Sequence, residues 1–323
     1  MAEPLRWGVL GATSRIAQKA VMPAIVADGS SELAAVASRS GGDYPTLGAK
    51  SSYDDYQALL DDEGVDAVYI PLPNSLHLEW TVRAAEAGKH VLCEKPLASN
   101  AAEATEMALA CTRAGVTLME AYMTPFHPRS EGLHSVLTAG RLGRLRWACS
   151  TFTFPLADDH RWNPDMGGGA LLDLGVYCLS PLLAAGEAMP ARSDASMTVG
   201  GAGVDGTFSG RLDFGNGLSA AFVCSFEAPF MQRFEAIGTD GAITIDERPF
   251  TPTEEDRFIH LTHRSGRMES IDCGGGNTYG GMVEHFAAVV RGEARPRRTP
   301  AEAIELLTLQ DGLRRAARVT AED

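Results

Sequence analysis

Leu5-Arg6-Trp7-Gly8-Val9-Leu10-Gly11-Ala12-Thr13-Ser14-Arg15-Ile16-Ala17 joins an apolar run of strand length to a small-residue turn and the start of an amphipathic segment. A strand that feeds a helix through such a turn lets backbone N–H groups and the helix N-terminus approach a pyrophosphate. The spacing G-x-G-x-x-G is absent, because Thr13 and Ser14 stand where a glycine is expected. Alone, this turn reads equally as an ordinary strand–helix connection; its place at the first crossover gives it weight.

Outward from this turn the same alternation repeats. Strand candidates at 5–11, 33–38, 67–72, 90–93 and 116–121 are separated by stretches at 16–27, 53–60, 77–87 and 101–114 with apolar residues at helical spacing. Near-continuous apolar strands alternating with helices predict an α/β domain, a doubly wound parallel sheet of Rossmann type. From about residue 123 the pattern changes. Segments 126–139 and 169–183 read as helices and 144–154 as a strand. Phe208, Gly210, Leu212 and Phe214 alternate with polar residues. Beyond Gly215-Asn216-Gly217, so do Leu218, Ala220, Phe222, Cys224 and Phe226. Period two around a Gly/Asn turn predicts a hairpin. A second is expected around Thr239-Asp240-Gly241 and a third from 258–261 with 268–271. Two helices close the chain, the last opening on Thr299-Pro300-Ala301-Glu302, a capping box with proline at the first helical position. The expected division is a dinucleotide-binding domain at 1–122 and an α+β domain with a large open, mostly antiparallel sheet at 123–323. Helix 300–318 is placed to pack back on the first domain.

The 323 residues suit about two domains. Hydrophobic residues are 45% and charged residues 22%, which excludes a disordered chain. A net charge of −14 argues against a nucleic-acid partner but leaves room for one local basic pocket. No basic segment followed by an apolar one opens the sequence, and the most apolar stretch, 169–186, is interrupted by Asp173 and Pro181. No membrane association is expected. The six cysteines are scattered without C-x-x-C spacing and suit a reducing, cytoplasmic setting. No metal site is expected: His260 and His263, three apart in a strand, point to opposite faces. There is no G-x-S-x-G elbow for a serine nucleophile.

Three local patterns carry chemistry. At the end of the second strand, Ala37-Ser38-Arg39-Ser40 replaces the carboxylate that an NAD site uses for the ribose hydroxyls. A hydroxyl and a guanidinium suit a 2′-phosphate, so NADP(H) is favoured and NAD(H) remains open; a solvated loop arginine is the competing reading. Cys93-Glu94-Lys95-Pro96-Leu97 follows the fourth strand, and open α/β sheets bind ligands at strand carboxyl ends. Asp173 and Tyr177, four apart in an apolar helix, share one face, and three glycines at the helix start suggest close approach to a cofactor or substrate.

Together these segments resemble the glucose–fructose oxidoreductase/inositol dehydrogenase (Gfo/Idh/MocA) family, whose signature is a Rossmann domain with E-K-P after the fourth strand. The resemblance extends to Ile70-Pro71-Leu72-Pro73-Asn74-Ser75-Leu76-His77, Met119-Glu120-Ala121-Tyr122-Met123, Arg161-Trp162-Asn163-Pro164 and 167–177. It implies that Lys95 meets both nicotinamide ribose and substrate. Cofactor contacts are implied for Gly11, Thr13, Ser14, Arg15, Ile16, Ser38, Arg39, Leu72, Pro73, Asn74, His77, Glu94, Arg161, Trp162 and Tyr279. Tyr177 stands where many members have histidine, which is typical of the branch with NADP-dependent sugar and dihydrodiol dehydrogenases. Thr13-Ser14 departs from the family's glycine turn.

The expectation is an NADP(H)-dependent oxidoreductase acting on a carbinol or carbonyl carbon of a sugar-like polyol. Lys95 and Tyr177 are the candidate proton donor and acceptor, and Asp173 fixes the substrate hydroxyl. A homodimer or homotetramer is expected through the sheet strands 144–154 and 207–226, on a face where alternating phenylalanines are left uncovered. Alternatives are trans-dihydrodiol dehydrogenation, a non-catalytic NADP-sensing regulator, and a redox-assisted glycosidase that retains NAD. Ser38-Arg39 disfavours the last, and the joint presence of Lys95, Asp173 and Tyr177 disfavours the regulator.

Overall fold

In the computed structural model, residues 3–39, 46–200 and 203–320 are described. The chain divides into two compact units, one of Met1–Met123 with Tyr279–Glu305 and the other of Thr124–Thr278 with Leu306–Asp323.

The first unit is built on six parallel strands, β1 (Leu5–Leu10), β2 (Ser31–Ala37), β3 (Ser51–Tyr53), β4 (Ala67–Ile70), β5 (His90–Glu94) and β6 (Leu118–Ala121). Their order is β3-β2-β1-β4-β5-β6, the doubly wound arrangement expected from the alternation. Trp7, Val9, Leu10 and all of β4 are buried, as strands covered on both faces require. The crossover helices are α1 (Met22–Ala27), α2 (Tyr56–Leu60), α3 (His77–Glu86) and α4 (Ala101–Ala114). Two local expectations are corrected. The first crossover enters α1 through a π turn at Ala17–Val21, a geometry that periodicity does not report. The helix expected at 53–60 starts only at Tyr56, because Asp55 caps it by accepting from Ala58 N, while Tyr53 ends a short edge strand paired with β2.

In the second unit, α5 (Pro128–Thr138) begins with proline after His127, whose ring accepts from Arg129 N. It is followed by β7 (Leu145–Thr153), α6 (Ala170–Gly186) and the strands β8 (Arg192–Val199), β9 (Asp205–Asp213), β10 (Ser219–Ser225), β11 (Met231–Gly238), β12 (Gly241–Ile245), β13 (Phe258–His263) and β14 (Met268–Asp272). Helix α7 (Thr278–Val290) follows and belongs to the first unit from Tyr279 onward, α8 (Pro300–Ala316) divides between the two units at Leu306, and β15 (Arg318–Thr320) is the last strand. The capping box forms as expected: Thr299 N donates to Glu302 Oε2 at 2.7 Å and Glu302 N to Thr299 Oγ1 at 3.2 Å.

The nine-stranded sheet runs β14-β13-β12-β11-β7-β10-β9-β8-β15. All three expected hairpins form, but β7 inserts between β11 and β10, pairing parallel with β10. α6 packs on β7, β9 and β10. The expectation about the phenylalanines is overturned. Phe152, Phe208, Phe222 and Phe226 are all buried, on the face that α6 covers. The alternate face instead carries half-buried Trp147, Cys149, Thr151, Ser209, Ala221 and Val223. Residues 300–318 also do not form one helix: α8 stops at Ala316, and Arg318 opens a strand beside β8.

Candidate active site

Gly11 N and Ala12 N both donate to Ala37 O at 2.9 Å, tying the turn after β1 to the end of β2. Gly11 has φ +104°, and a Cβ there would lie 2.9 Å from Leu72 Cδ2, so glycine is required. Ser14 N donates back to Gly11 O at 2.9 Å, and Ser14 O accepts Gln18 N at 3.0 Å as the helix begins. Arg15 is exposed and Ile16 half-buried on the first helical turn. Thr13 Oγ1 lies 3.4 Å from Ser38 Oγ. Arg39 is exposed, its guanidinium 4.9 Å from the centre of the Tyr56 ring, and Ser40 lies outside the described residues. Two hydroxyls thus approach each other at the carboxyl end of β2 and an arginine follows directly on that strand, residue types that fit a phosphate ester.

At the end of β5, Glu94 accepts the Tyr69 hydroxyl at 2.6 Å through Oε1 and Lys95 N at 3.1 Å through Oε2. Burial raises the Glu94 carboxyl above its ordinary range, and burial beside that carboxyl pushes the Tyr69 phenol well up. Leu72, Pro73 and Asn74 line the end of β4, half-buried. His77 has no exposed surface. Its Nε2 lies 2.8 Å from Leu72 O, and its Nδ1 lies 3.0 Å from Pro96 O and 3.3 Å from Leu97 O. The family resemblance implied a cofactor contact; in the structure the imidazole is enclosed by the carbonyls of two backbone segments. Burial lowers its pKa. Tyr279 lies near the start of α7, close enough to Tyr69 to act on it electrostatically.

The second unit gathers Asp173, Tyr177, Arg161 and Trp162. The glycines before α6 serve the chain itself: Gly168 N donates to Asn163 O at 3.0 Å and Gly169 N to Arg161 O at 2.9 Å. Gly169 has φ +119°, and a Cβ there would overlap Asp205 Oδ1. Asp205, 6% exposed, occupies the N-terminus of α6 and accepts Leu171 N at 2.6 Å. It escaped the sequence reading because nothing near it in the chain marks a cap for a helix that starts 35 residues earlier.

Arg161 donates Nε to Asp159 Oδ1 at 2.9 Å, Nη2 to Asp159 Oδ2 at 3.2 Å and Nη1 to Asp173 Oδ2 at 3.2 Å. Burial works against the Asp159 charge, but the Arg161 hydrogen bonds outweigh it and hold that carboxyl below its ordinary range. Arg161 also sits 5.5 Å from the centre of the Phe154 ring. Trp162 donates Nε1 to Leu156 O at 3.2 Å and meets Phe226 edge-on at 5.3 Å. Tyr177, 7% exposed, meets Phe152 edge-on at 5.3 Å. Among the described residues no group of His, Cys, Asp and Glu could hold a metal ion, and no helix is long and apolar enough to cross a membrane.

Residues 5–122 match the profile of an oxidoreductase family with NAD-binding Rossmann fold, and residues 131–244 match that family's C-terminal domain. The chain is similar to D-xylose 1-dehydrogenase (NADP(+)) 2 of Haloferax volcanii, 37% identical with 97% of each chain covered. It is similar to trans-1,2-dihydrobenzene-1,2-diol dehydrogenase of Mus musculus, 33% identical over 77% of each chain. A solved 3-ketoreductase from Actinomadura kijaniata, in complex with NADP and TDP-benzene, superposes with a TM-score of 0.88 at 31% identity, covering 99% of this chain and 100% of that one. The sequence motifs, the two folds and these matches agree, and the chain belongs to the Gfo/Idh/MocA family of NAD(P)-dependent oxidoreductases.

Proposed function

We propose that the protein is an NADP(H)-dependent oxidoreductase of a carbinol or carbonyl carbon in a sugar or sugar-like polyol. The observation that carries this reading is Asp173 and Tyr177 one turn apart on α6, with Asp173 bonded to Arg161. A carboxylate bonded to a guanidinium accepts hydrogen bonds from substrate hydroxyls, and a phenol one turn along exchanges a proton. The sugar dehydrogenase of Haloferax volcanii supports the same substrate class.

When bound, the nicotinamide supplies the hydride chemistry. Thr13, Ser38 and Arg39 would hold the 2′-phosphate, the turn at 11–16 would take the pyrophosphate, and Leu72, Pro73 and Asn74 would lie toward the nicotinamide. Lys95 and Tyr177 move the hydroxyl proton of the substrate, and Asp173 orients that hydroxyl. A second reading, oxidation of a trans-dihydrodiol, is favoured by the aromatic surroundings of Tyr177, where Phe152 also stacks on Phe250 at 5.8 Å. The half-buried face of Trp147, Cys149, Thr151, Ala221 and Val223 supports self-association through the sheet, which light scattering at micromolar concentration checks; a monomeric mass removes it.

The deciding experiment presents aldoses, inositols, nucleotide sugars and trans-dihydrodiols with NADP+ and NAD+, following reduced nicotinamide by absorbance. Stoichiometric oxidation of a polyol with NADP+ is expected. Turnover of dihydrodiols alone selects the second reading, and no turnover of either class removes both.

A further inference from the structure

Leu97, two residues beyond Lys95, is fully buried, and its backbone is held from both sides. Its N–H donates to Glu120 Oε1 at 2.9 Å, and its carbonyl faces His77 Nδ1 at 3.3 Å. Glu120, on β6 between the apolar Met119 and Ala121, is 1% exposed. Its other oxygen accepts Arg298 Nε at 2.7 Å across 178 positions of sequence. The Arg298 side chain is 10% exposed, its guanidinium lies 5.4 Å from the centre of the Tyr122 ring, and its Nη2 is buried with no hydrogen-bond partner.

A buried ion pair stabilises a fold little more than well-packed apolar side chains of the same volume. A pair that also leaves one buried donor orphaned is poorer still. Stability alone therefore does not account for Glu120 and Arg298. What the pair does is hold one end of the short loop that carries Lys95. The other end is held by the same chemistry, since Lys95 N donates to Glu94, which Tyr69 fixes.

We propose that Glu120 and Arg298 are positioning residues for Lys95: the guanidinium orients the carboxylate, the carboxylate pins the Leu97 amide, and the lysine is thereby fixed for proton transfer. This rests on the assignment of Lys95 to the reaction. Misplacing a reacting group by an ångström slows the chemical step without weakening the binding of ligands held elsewhere.

The test compares Glu120→Gln, Arg298→Met and the double variant. In Glu120→Gln one arm is lost, because an amide offers only one oxygen to two donors. In Arg298→Met the carboxylate loses its orienting partner. In the double variant the amide oxygen is free to face Leu97. Turnover per NADPH-binding site is expected to fall at least about tenfold in each single variant, with substrate KM and NADPH affinity nearly unchanged. The double variant is expected to recover above both, which is the signature of coupling. Hydrogen exchange of the peptide containing the Leu97 amide reads the anchor directly and is expected to speed up in the single variants and slow again in the double. If Glu120→Gln does not fold, Arg298→Lys, which keeps the charge but not the planar fork, carries the same expectation. Unchanged exchange at Leu97, or wild-type turnover per site with only a lowered melting temperature, overturns the proposal. A wild-type protein that oxidises no polyol or dihydrodiol refutes the functional reading, and exchange at Leu97 still decides the anchor.

Discussion

Replacing Arg39 with alanine isolates the charge assigned to the 2′-phosphate. The side chain is exposed and rests on Tyr56, which is only 5% exposed, so its removal opens no cavity in the core. A hydrogen bond to a charged group contributes about 1.5–3 kcal/mol. With about 1.4 kcal/mol per factor of ten, the KM for NADP+ should rise roughly 10- to 150-fold. NAD+ lacks the phosphate, so its KM should move by less than about twofold, within the range of neutral surface substitutions. Tyr56→Leu keeps the charge but removes its platform. A cation–π contact at an exposed site is worth about 0.5–1 kcal/mol, so the NADP+ penalty there should be only roughly two- to fivefold. The Arg39→Ala effect should also shrink as salt is added, because the contact is solvent-accessible. Initial rates with both cofactors, together with NADPH titrations by fluorescence, make the measurement independent of substrate identity. Equal losses for NADP+ and NAD+ would show that Arg39 supports the fold rather than the phosphate. No loss for either would place the phosphate elsewhere.

Lys95→Ala should lower turnover by at least about a hundredfold, within the usual range for acid–base groups, and Tyr177→Phe should lower it while NADPH affinity by fluorescence stays near normal. Wild-type turnover in Lys95→Ala would remove the mechanism. Asp205→Ala removes the cap of α6 and should cost about 1–2 kcal/mol in denaturant unfolding, with catalytic loss because Asp173 and Tyr177 sit in the first turns of that helix; an unchanged midpoint would show that the helix end is held otherwise. Burial raises the Asp66 carboxyl, but hydrogen bonds from the Arg6 side chain and backbone lower it further, below its ordinary value. A carboxyl depressed in the folded state adds stability above the ordinary carboxylate range and loses it as pH falls through the folded value. The melting-temperature gap between wild type and Asp66→Asn should therefore be present at neutral pH and close in acid; a gap independent of pH would refute the ion-pair account.

Much of the architecture is legible in residue order because burial on one or both faces of an element leaves a local period. The run from Leu5 to Leu10 reads as a doubly covered strand, and Phe208 to Phe226 reads as a hairpin whose alternate residues are buried. Ser38-Arg39 and Lys95 are also local signals, since each follows directly on a strand whose carboxyl end has a known orientation in a parallel sheet. Periodicity names the buried residues but not what buries them. It therefore assigned the phenylalanines to an open face, when α6 covers them. It was silent on the parallel pairing of β7 with β10 and of β15 with β8. Glu120 and His77 both stand in segments that carry the family resemblance, yet their partners are not legible there. Arg298 and the carbonyls of Pro96 and Leu97 come within hydrogen-bond distance only when distant segments are folded together. Strands, turns and the residues that end them follow from short-range backbone and solvation preferences. The pairing of buried charges, the capping of α6 by Asp205 and the side of a sheet that a helix covers are set by contacts between segments far apart in the chain.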